Sequence, residues 1–148
     1  PPTDIVSIAA EAARHSDTIV VTGGEPLMWD MHPLTSELKK RGLKIHIETS
    51  GAYPLTGTWA WCCLSPKKNK LPLQACYARA DELKVIVYNR HDLKFAEEQA
   101  ERVGGECLLF LQPEWSVREK VMPMIVNYVM AHPKWRVSLQ THKYLHIP

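Results

Sequence analysis

The sequence predicts an α/β fold of parallel strands joined by crossover helices. Short β-branched or alternating apolar runs recur at 18–22, 43–48, 59–64, 83–88, 107–111 and 135–140, each of strand length. Segments of helical period separate most of them, and strand–helix alternation builds a parallel sheet, either one α/β layer or a portion of a barrel. The 148 residues are 45% hydrophobic and 23% charged, which suits a single domain over 1–148 whose core needs no staples. No linker, internal repeat or low-complexity segment divides it.

The elements follow in order. Ile5, Ile8, Ala9, Ala12 and Ala13 lie at i, i+3, i+4, i+7, i+8 spacing, so residues 3–15 read as an amphipathic helix with Thr3 as N-cap. The strand at 18–22 ends at Gly23-Gly24, a turn signal. A helix over 31–41 ends with Lys39, Lys40 and Arg41 before Gly42, since cations suit a helix C-terminus and glycine its stop. Leu43, Ile45 and Ile47 alternate with Lys44, His46 and Glu48, the period of a half-buried strand. After the strand at 59–64, residues 65–73 form a Pro- and Lys-rich loop. Asp92 is expected to N-cap a helix running to about Val103, and Ser116-x-x-Glu119 reads as a capping box for a helix carrying Val117, Val121, Ile125, Tyr128 and Val129. Pro123 in the first turns of that helix and Pro133 after it fit those boundaries.

Charge and cysteine content narrow the function classes. A formal charge of +2 with dispersed lysines and arginines gives no footprint for nucleic acid. No apolar run reaches membrane-spanning length and no signal-peptide pattern is present. Cys62, Cys63, Cys76 and Cys107 have neither zinc spacing nor a disulfide framework, so buried, reduced thiols and a cytoplasmic location are expected.

In parallel α/β folds, sites gather at the carboxyl ends of the strands. Those ends are Thr22-Gly23-Gly24-Glu25-Pro26, Glu48-Thr49-Ser50-Gly51, Ser65-Pro66-Lys67, Gln112-Pro113-Glu114-Trp115 and Gln140-Thr141-His142-Lys143. Five polar groups, each following an apolar strand, form the kind of rim a small-molecule site requires. Gly23-Gly24 removes two Cβ atoms where a ligand could press on the backbone. Glu25 adds a charge suited to an ammonium group. Lys67 is placed to reach a ligand oxygen, whereas Lys68 and Lys70 read as solvated. His142 lies on the rim, while His15, His32, His46, His91 and His132 read as surface or capping residues. Trp115 and Tyr144 are candidates either for stacking on a planar ring or for ordinary packing. Neither a Walker loop, a dinucleotide fingerprint nor a zinc-helix motif occurs, and no catalytic residue can be singled out.

Thr22-Gly23-Gly24-Glu25-Pro26 resembles the GGEP signature of radical S-adenosylmethionine (SAM) enzymes. Together with Glu48-Thr49-Ser50-Gly51, Ser65-Pro66-Lys67, Leu111-Gln112-Pro113 and the ending 138–145 (Ser-Leu-Gln-Thr-His-Lys-Tyr-Leu), it resembles the 7-carboxy-7-deazaguanine synthases of queuosine and deazapurine biosynthesis. The resemblance implies a partial, open TIM-like β/α barrel of the radical SAM type. It implies a carbon–nitrogen lyase, homodimeric, that uses SAM, a [4Fe-4S] cluster, Mg2+ and an electron donor such as flavodoxin. That enzyme converts the pterin 6-carboxy-5,6,7,8-tetrahydropterin to 7-carboxy-7-deazaguanine with loss of ammonia, through a 5′-deoxyadenosyl radical. By position, Gly23, Gly24 and Glu25, then Ser65, Pro66 and Lys67, then Gln112, Pro113, Glu114 and Trp115 would bind SAM. Thr22 would contact substrate, as would Pro148 through a terminal carboxylate.

One part of the family pattern does not occur. No CxxxCxxC is present, and cysteine thiolates normally ligate such clusters. The cluster and Mg2+ ligands are therefore expected upstream of Pro1, with no metal ligand among these residues, and the 148-residue piece alone is expected to be inactive. Two other readings share parts of the pattern: a glycyl-radical activating enzyme, which the Gln-Thr-His ending disfavours, and a SAM-pocket binding module without a cluster.

Overall fold

The computed structural model describes residues 4–147. Strands and helices alternate except between β2 and β3, in the order α1 (Ile5–His15), β1 (Thr18–Val21), α2 (His32–Lys40), β2 (Lys44–Thr49), β3 (Trp61–Leu64), α3 (Gln74–Arg79), β4 (Glu82–Val87), α4 (His91–Ala100), β5 (Leu108–Pro113), α5 (Arg118–Ala131), β6 (Trp135–Val137) and α6 (Thr141–Tyr144). The chain groups into two compact units, one ending at Asp81 and the other beginning at Glu82.

In the first unit β1, β2 and β3 are parallel and adjacent. Thr18 pairs with Lys44 and Val21 with Ile47, while His46 pairs with Trp61 and Thr49 with Leu64. The expected alternation of β2 holds, with Ile45, Ile47 and Thr49 buried, Lys44 exposed, and His46 and Glu48 half-buried. By contrast β3 buries Cys62, Cys63 and Leu64 in succession, as a strand covered on both faces does. Because the three strands are parallel, their carboxyl ends and the loops that follow them lie at one edge of the unit. Helix α1 is capped by the Asp4 carboxylate, which accepts from Ser7 N at 2.9 Å; Thr3, the expected cap, lies outside the described residues. Gly42 has a positive φ of 76°, the left-handed conformation that ends α2.

In the second unit Glu82 pairs with Leu108, Val87 with Pro113, Leu109 with Trp135 and Leu111 with Val137, all parallel. Its core includes Leu83, Val85, Val87, Leu93, Ala96, Leu111, Ile125 and Trp135. One carboxylate ties the layers together. Glu97 of α4 accepts from Tyr128 Oη of α5 (2.6 Å), from Trp135 Nε1 of β6 (2.8 Å) and from Lys134 Nζ (2.5 Å). Burial opposes the Glu97 charge, but these bonds outweigh it and hold its carboxyl below the ordinary value, while burial and the Glu97 contact push the Tyr128 phenol up to about 12.

Several sequence expectations are corrected. The Asp92 carboxylate accepts from Tyr88 N (2.7 Å) and Asn89 N (2.8 Å), so it braces the turn before α4 rather than the helix's own first N–H groups. That helix stops at Ala100, short of Val103. The Ser116–Glu119 capping box does not form. Instead Glu114 accepts from Ser116 N at 2.9 Å and from the Ser116 hydroxyl, a 3₁₀ turn occupies Trp115–Val117, and Glu119 pairs with Arg118 at 3.1 Å. Pro123, by contrast, lies in the second turn of α5, as expected. The last strand is shorter than expected, ending at Val137, and the short helices α3 and α6 follow no strong period in the sequence.

Candidate functional site

The three polar strand ends of the first unit meet around one cavity of about 360 Å³, within the usual range of small-molecule sites, about 300–1,000 Å³. Thr22, Gly23, Gly24 and Glu25 line it from the end of β1, Glu48, Thr49 and Ser50 from the end of β2, and Ser65 and Lys67 from the end of β3. Of the residues in these three groups Pro26, Gly51 and Pro66 do not line the cavity; all three are buried.

Glu25 sets the shape of this edge. Its Oε1 accepts from Leu27 N at 3.1 Å and from the Thr49 hydroxyl, and its Oε2 accepts from Ser50 N at 2.8 Å and from the Ser50 hydroxyl. The two hydroxyls in turn accept from Gly51 N (3.0 Å) and Ala52 N (3.4 Å). One side chain thus joins the loop after β1 to the turn after β2, and both carboxylate oxygens are engaged by protein donors. Burial works against the charge, but the bonds from Ser50 and Thr49 prevail and hold the carboxyl below its ordinary 4.5. A lowered folded-state value means that Glu25 contributes its stability above that ordinary value and loses it as pH falls through the lowered one. In Glu25→Gln the amide nitrogen cannot accept, which leaves donors of Leu27, Thr49 or Ser50 unpaired. We expect a loss of about 1–3 kcal/mol in urea unfolding at pH 7, together with a weaker acid-dependence of stability. A variant as stable as the parent would show that this network is not what holds the edge.

The paired glycines differ. Gly23 has φ 119°, a conformation in which a side chain is strained. Gly24 has neither a positive φ nor any atom within 4 Å of where its Cβ would stand. No protein atom near position 24 therefore demands glycine there, and Gly24 is one of the residues that line the cavity. That is a cradle a Cβ would begin to fill.

Five lining residues were not expected: Met28, Ala52, Tyr53, Asn69 and Lys70. Lys70 is exposed, as read from the sequence, yet its ammonium lies 3.6 Å from the centroid of the Tyr53 ring. A Lys67–Lys70 β-bridge makes residues 67–70 a tight turn, which spacing between two lysines and a polar dipeptide could have suggested. Ser65 N donates to Thr49 O at 2.8 Å and Lys67 Nζ to Ser65 Oγ at 3.3 Å.

The other two polar ends meet within the second unit. Ser138 Oγ donates to Gln112 Oε1 at 3.1 Å, and Gln112 is buried. Glu114 N donates to Val87 O at 2.9 Å. The Ser116 hydroxyl holds the Glu114 carboxyl below its ordinary value, with Lys143 adding a smaller effect. Trp115 meets Tyr144 edge-on at 5.0 Å, with the Arg118 guanidinium 4.1 Å and the Lys143 ammonium 5.2 Å from its ring. The two aromatic rings thus pack on one another. His142 is exposed on α6, and Pro148 lies outside the described residues.

The cysteines do not form a metal or cluster site among the described residues. Cys62, Cys63 and Cys76 are buried and Cys107 half-buried, and no group of three His, Cys, Asp or Glu residues there is placed to hold a metal. Burial, with a smaller contribution from Glu25, raises the Cys76 thiol above its ordinary value, which favours an inert thiol. No helix among the described residues is long and apolar enough to cross a membrane.

No family model matches the chain. Relatives are found by sequence. A 7-carboxy-7-deazaguanine synthase of Flavobacterium psychrophilum is 63% identical over 148 residues, all of this chain and 70% of that protein. One from Synechocystis is 51% identical over 127 residues, 86% of this chain and 61% of that protein. One from Escherichia coli is 32% identical over 151 residues, 97% of this chain and 67% of that protein. In structure the chain resembles the crystal structure of QueE from Escherichia coli with a TM-score of 0.80 and 29% identity, over 93% of this chain and 62% of that one. The chain thus spans roughly three fifths to seven tenths of the proteins it matches.

Proposed function

The chain belongs to the 7-carboxy-7-deazaguanine synthase family, and from that premise we propose that it is the larger part of a radical SAM enzyme making 7-carboxy-7-deazaguanine from 6-carboxy-5,6,7,8-tetrahydropterin with release of ammonia. The observation that carries this reading is the cavity at Gly24, where a glycine unneeded by the fold borders a space of about 360 Å³ lined by three of the strand-end groups.

The residues present fit the methionyl end of SAM. Its carboxylate suits the Lys67 ammonium, and its ammonium suits the acidic and carbonyl oxygens of the opposite wall. In this reading Gly24 admits the ligand against the backbone, Ser65 and Lys67 orient it, and Glu25 acts from behind by fixing Thr49 and Ser50. Thr22, exposed at the cavity's edge, is proposed to meet the pterin. When bound, SAM supplies hydrogen-atom abstraction. The Gln112–Trp115 segment and Pro148 are carried as cofactor and substrate contacts on the resemblance alone.

The described cysteines do not fit a [4Fe-4S] cluster, so no step is assigned to one here, and its ligands are proposed to come from chain outside these 148 residues. Mg2+, a homodimeric state, a flavodoxin-like donor, lyase chemistry and a cytoplasmic location belong to the same proposal.

The test is turnover by the intact enzyme that carries this sequence, reconstituted anaerobically with iron, sulfide and SAM and given carboxytetrahydropterin. We expect 7-carboxy-7-deazaguanine and one equivalent of ammonia. Cleavage of SAM with no deazaguanine product would overturn the substrate assignment and favour an activating enzyme acting on a protein.

A further inference from the structure

We propose that the outer face of α4 and α5 is a self-complementary surface that takes a second copy of this chain across a two-fold axis. This deepens the homodimeric part of the reading above by naming the face; it does not depend on SAM.

Arg90, Lys94, Glu98 and Glu101 lie at i, i+4, i+8 and i+11, so they form one stripe along α4, and all four are exposed. The stripe is bipolar, with both cations at the start of the helix and both carboxylates at its end. That order opposes the helix dipole, which favours acids at the start and bases at the end. Asp92 is the acid of the first turn, and it is buried and bonded to Tyr88 N and Asn89 N. Neighbours on the stripe also repel, since Arg90 and Lys94 are four residues apart and Glu98 and Glu101 three. The attractive contact within the stripe is Lys94 to Glu98 at 3.9 Å. Among the described residues neither Arg90 nor Glu101 has an ion-pair partner.

A charge order that is unfavourable within one helix becomes favourable between two that run antiparallel. A two-fold axis crossing α4 between residues 95 and 96 sets Arg90 against Glu101 of the second copy and Lys94 against Glu98 of the second copy. Symmetry repeats both pairs. Charges ordered this way select a copy of the same surface over a uniformly acidic or basic partner.

Beside the stripe the surface is apolar. Between α4 and α5 runs a groove of about 540 Å³ whose lining includes Leu93, Met124, Tyr128 and Ala131. Apart from Asn127 and the Tyr128 hydroxyl, every side chain from Val121 to Ala131 is apolar, yet only Val121 and Ile125 of α5 are buried. Met130 is 76% exposed. A helix apolar on all sides is ordinarily covered on all sides. Both helices cross between parallel strands and so run in one direction. The bond from Tyr128 to Glu97 sets residues 97 and 128 about level, which brings the same axis close to Asn127. Met130, three residues to one side of it, then meets Met124 of the second copy in its groove. Asn127 meets its own equivalent, where an amide can both donate and accept.

Sedimentation equilibrium of the intact enzyme that carries this sequence, without SAM, tests the face. We expect the unaltered protein to be a dimer. Arg90→Glu/Lys94→Glu makes the stripe wholly acidic, and Glu98→Lys/Glu101→Lys makes it wholly basic. Each pair of changes should raise the dimer dissociation constant by about tenfold or more, because like charges then face each other. Met130→Glu should weaken the dimer as well, by placing a charge in its apolar part. An equimolar mixture of the acidic and basic variants should recover a tight heterodimer, which misfolded variants could not do. A dimer unmoved by these changes, or a mixture no tighter than its parts, would overturn this face and leave the homodimeric reading standing. An unaltered protein that stays monomeric at every concentration would overturn both.

Discussion

Gly24→Val is expected to weaken SAM binding by ten- to a hundredfold or more while leaving the fold within about 1 kcal/mol of the parent. The asymmetry follows from where the new side chain would go. No atom lies within 4 Å of the Cβ position, and the backbone there is not in the left-handed region, so the protein tolerates the change. The ligand does not, because forcing extra methyl groups into an occupied contact costs about 1–3 kcal/mol, or one to two decades in affinity. Isothermal titration of the reconstituted enzyme with SAM, beside urea unfolding of the same variant, measures both halves. Wild-type affinity in a folded Gly24→Val protein would remove the cavity from the cofactor assignment. Loss of fold together with loss of binding would instead mean that Gly24 serves packing, which its open surroundings deny.

Gly51→Ala is expected to act in the opposite way, striking the fold first. Gly51 stands at φ 71°, and a Cβ there would lie 2.5 Å from Leu64 Cδ1, 3.0 Å from Pro72 Cβ and 3.1 Å from Cys76 Cβ. Leu64 and Cys76 are fully buried, so none of these atoms has open space to retreat into. The left-handed conformation costs an alanine about 1–2 kcal/mol and the overpacking about 1–3 kcal/mol more. A loss of about 2–5 kcal/mol is a large share of a typical stability of roughly 5–15 kcal/mol. Urea unfolding should show it as a lower midpoint at an unchanged slope. Combining it with Leu64→Ala should be less damaging than the sum of the two single changes, since the truncated leucine makes room. Strict additivity would place the damage in the backbone conformation alone.

Much of the first unit was legible in its sequence because each signal there is local. The alternation of Leu43, Ile45 and Ile47 with polar residues specifies β2 with its buried face, and Gly42 marks the end of α2 by a conformation other residues avoid. The polar strand ends could be located by reading each apolar run to its close, and parallel pairing then brings three of them to one edge. What was not legible depends on contacts distant in sequence. Glu25 reads from its neighbours as a charge for a ligand, but Thr49 and Ser50, more than twenty residues on, take up its oxygens. Tyr53 and Lys70 meet only because the loops after β2 and β3 lie side by side. In the second unit Ser116 and Glu119 have capping-box spacing, yet Glu114 takes Ser116 first. Asp92 has the right identity for an N-cap, yet its carboxylate is claimed by Tyr88 and Asn89. In each case a nearby or tertiary partner outcompetes the local rule.

The most direct test of the cofactor assignment is a structure of the reconstituted enzyme with SAM. The methionyl end is expected in the cavity, against the Gly24 backbone and within reach of Ser65 and Lys67, with Glu25 still bonded to Thr49 and Ser50. SAM bound elsewhere, with that cavity empty, would contradict it.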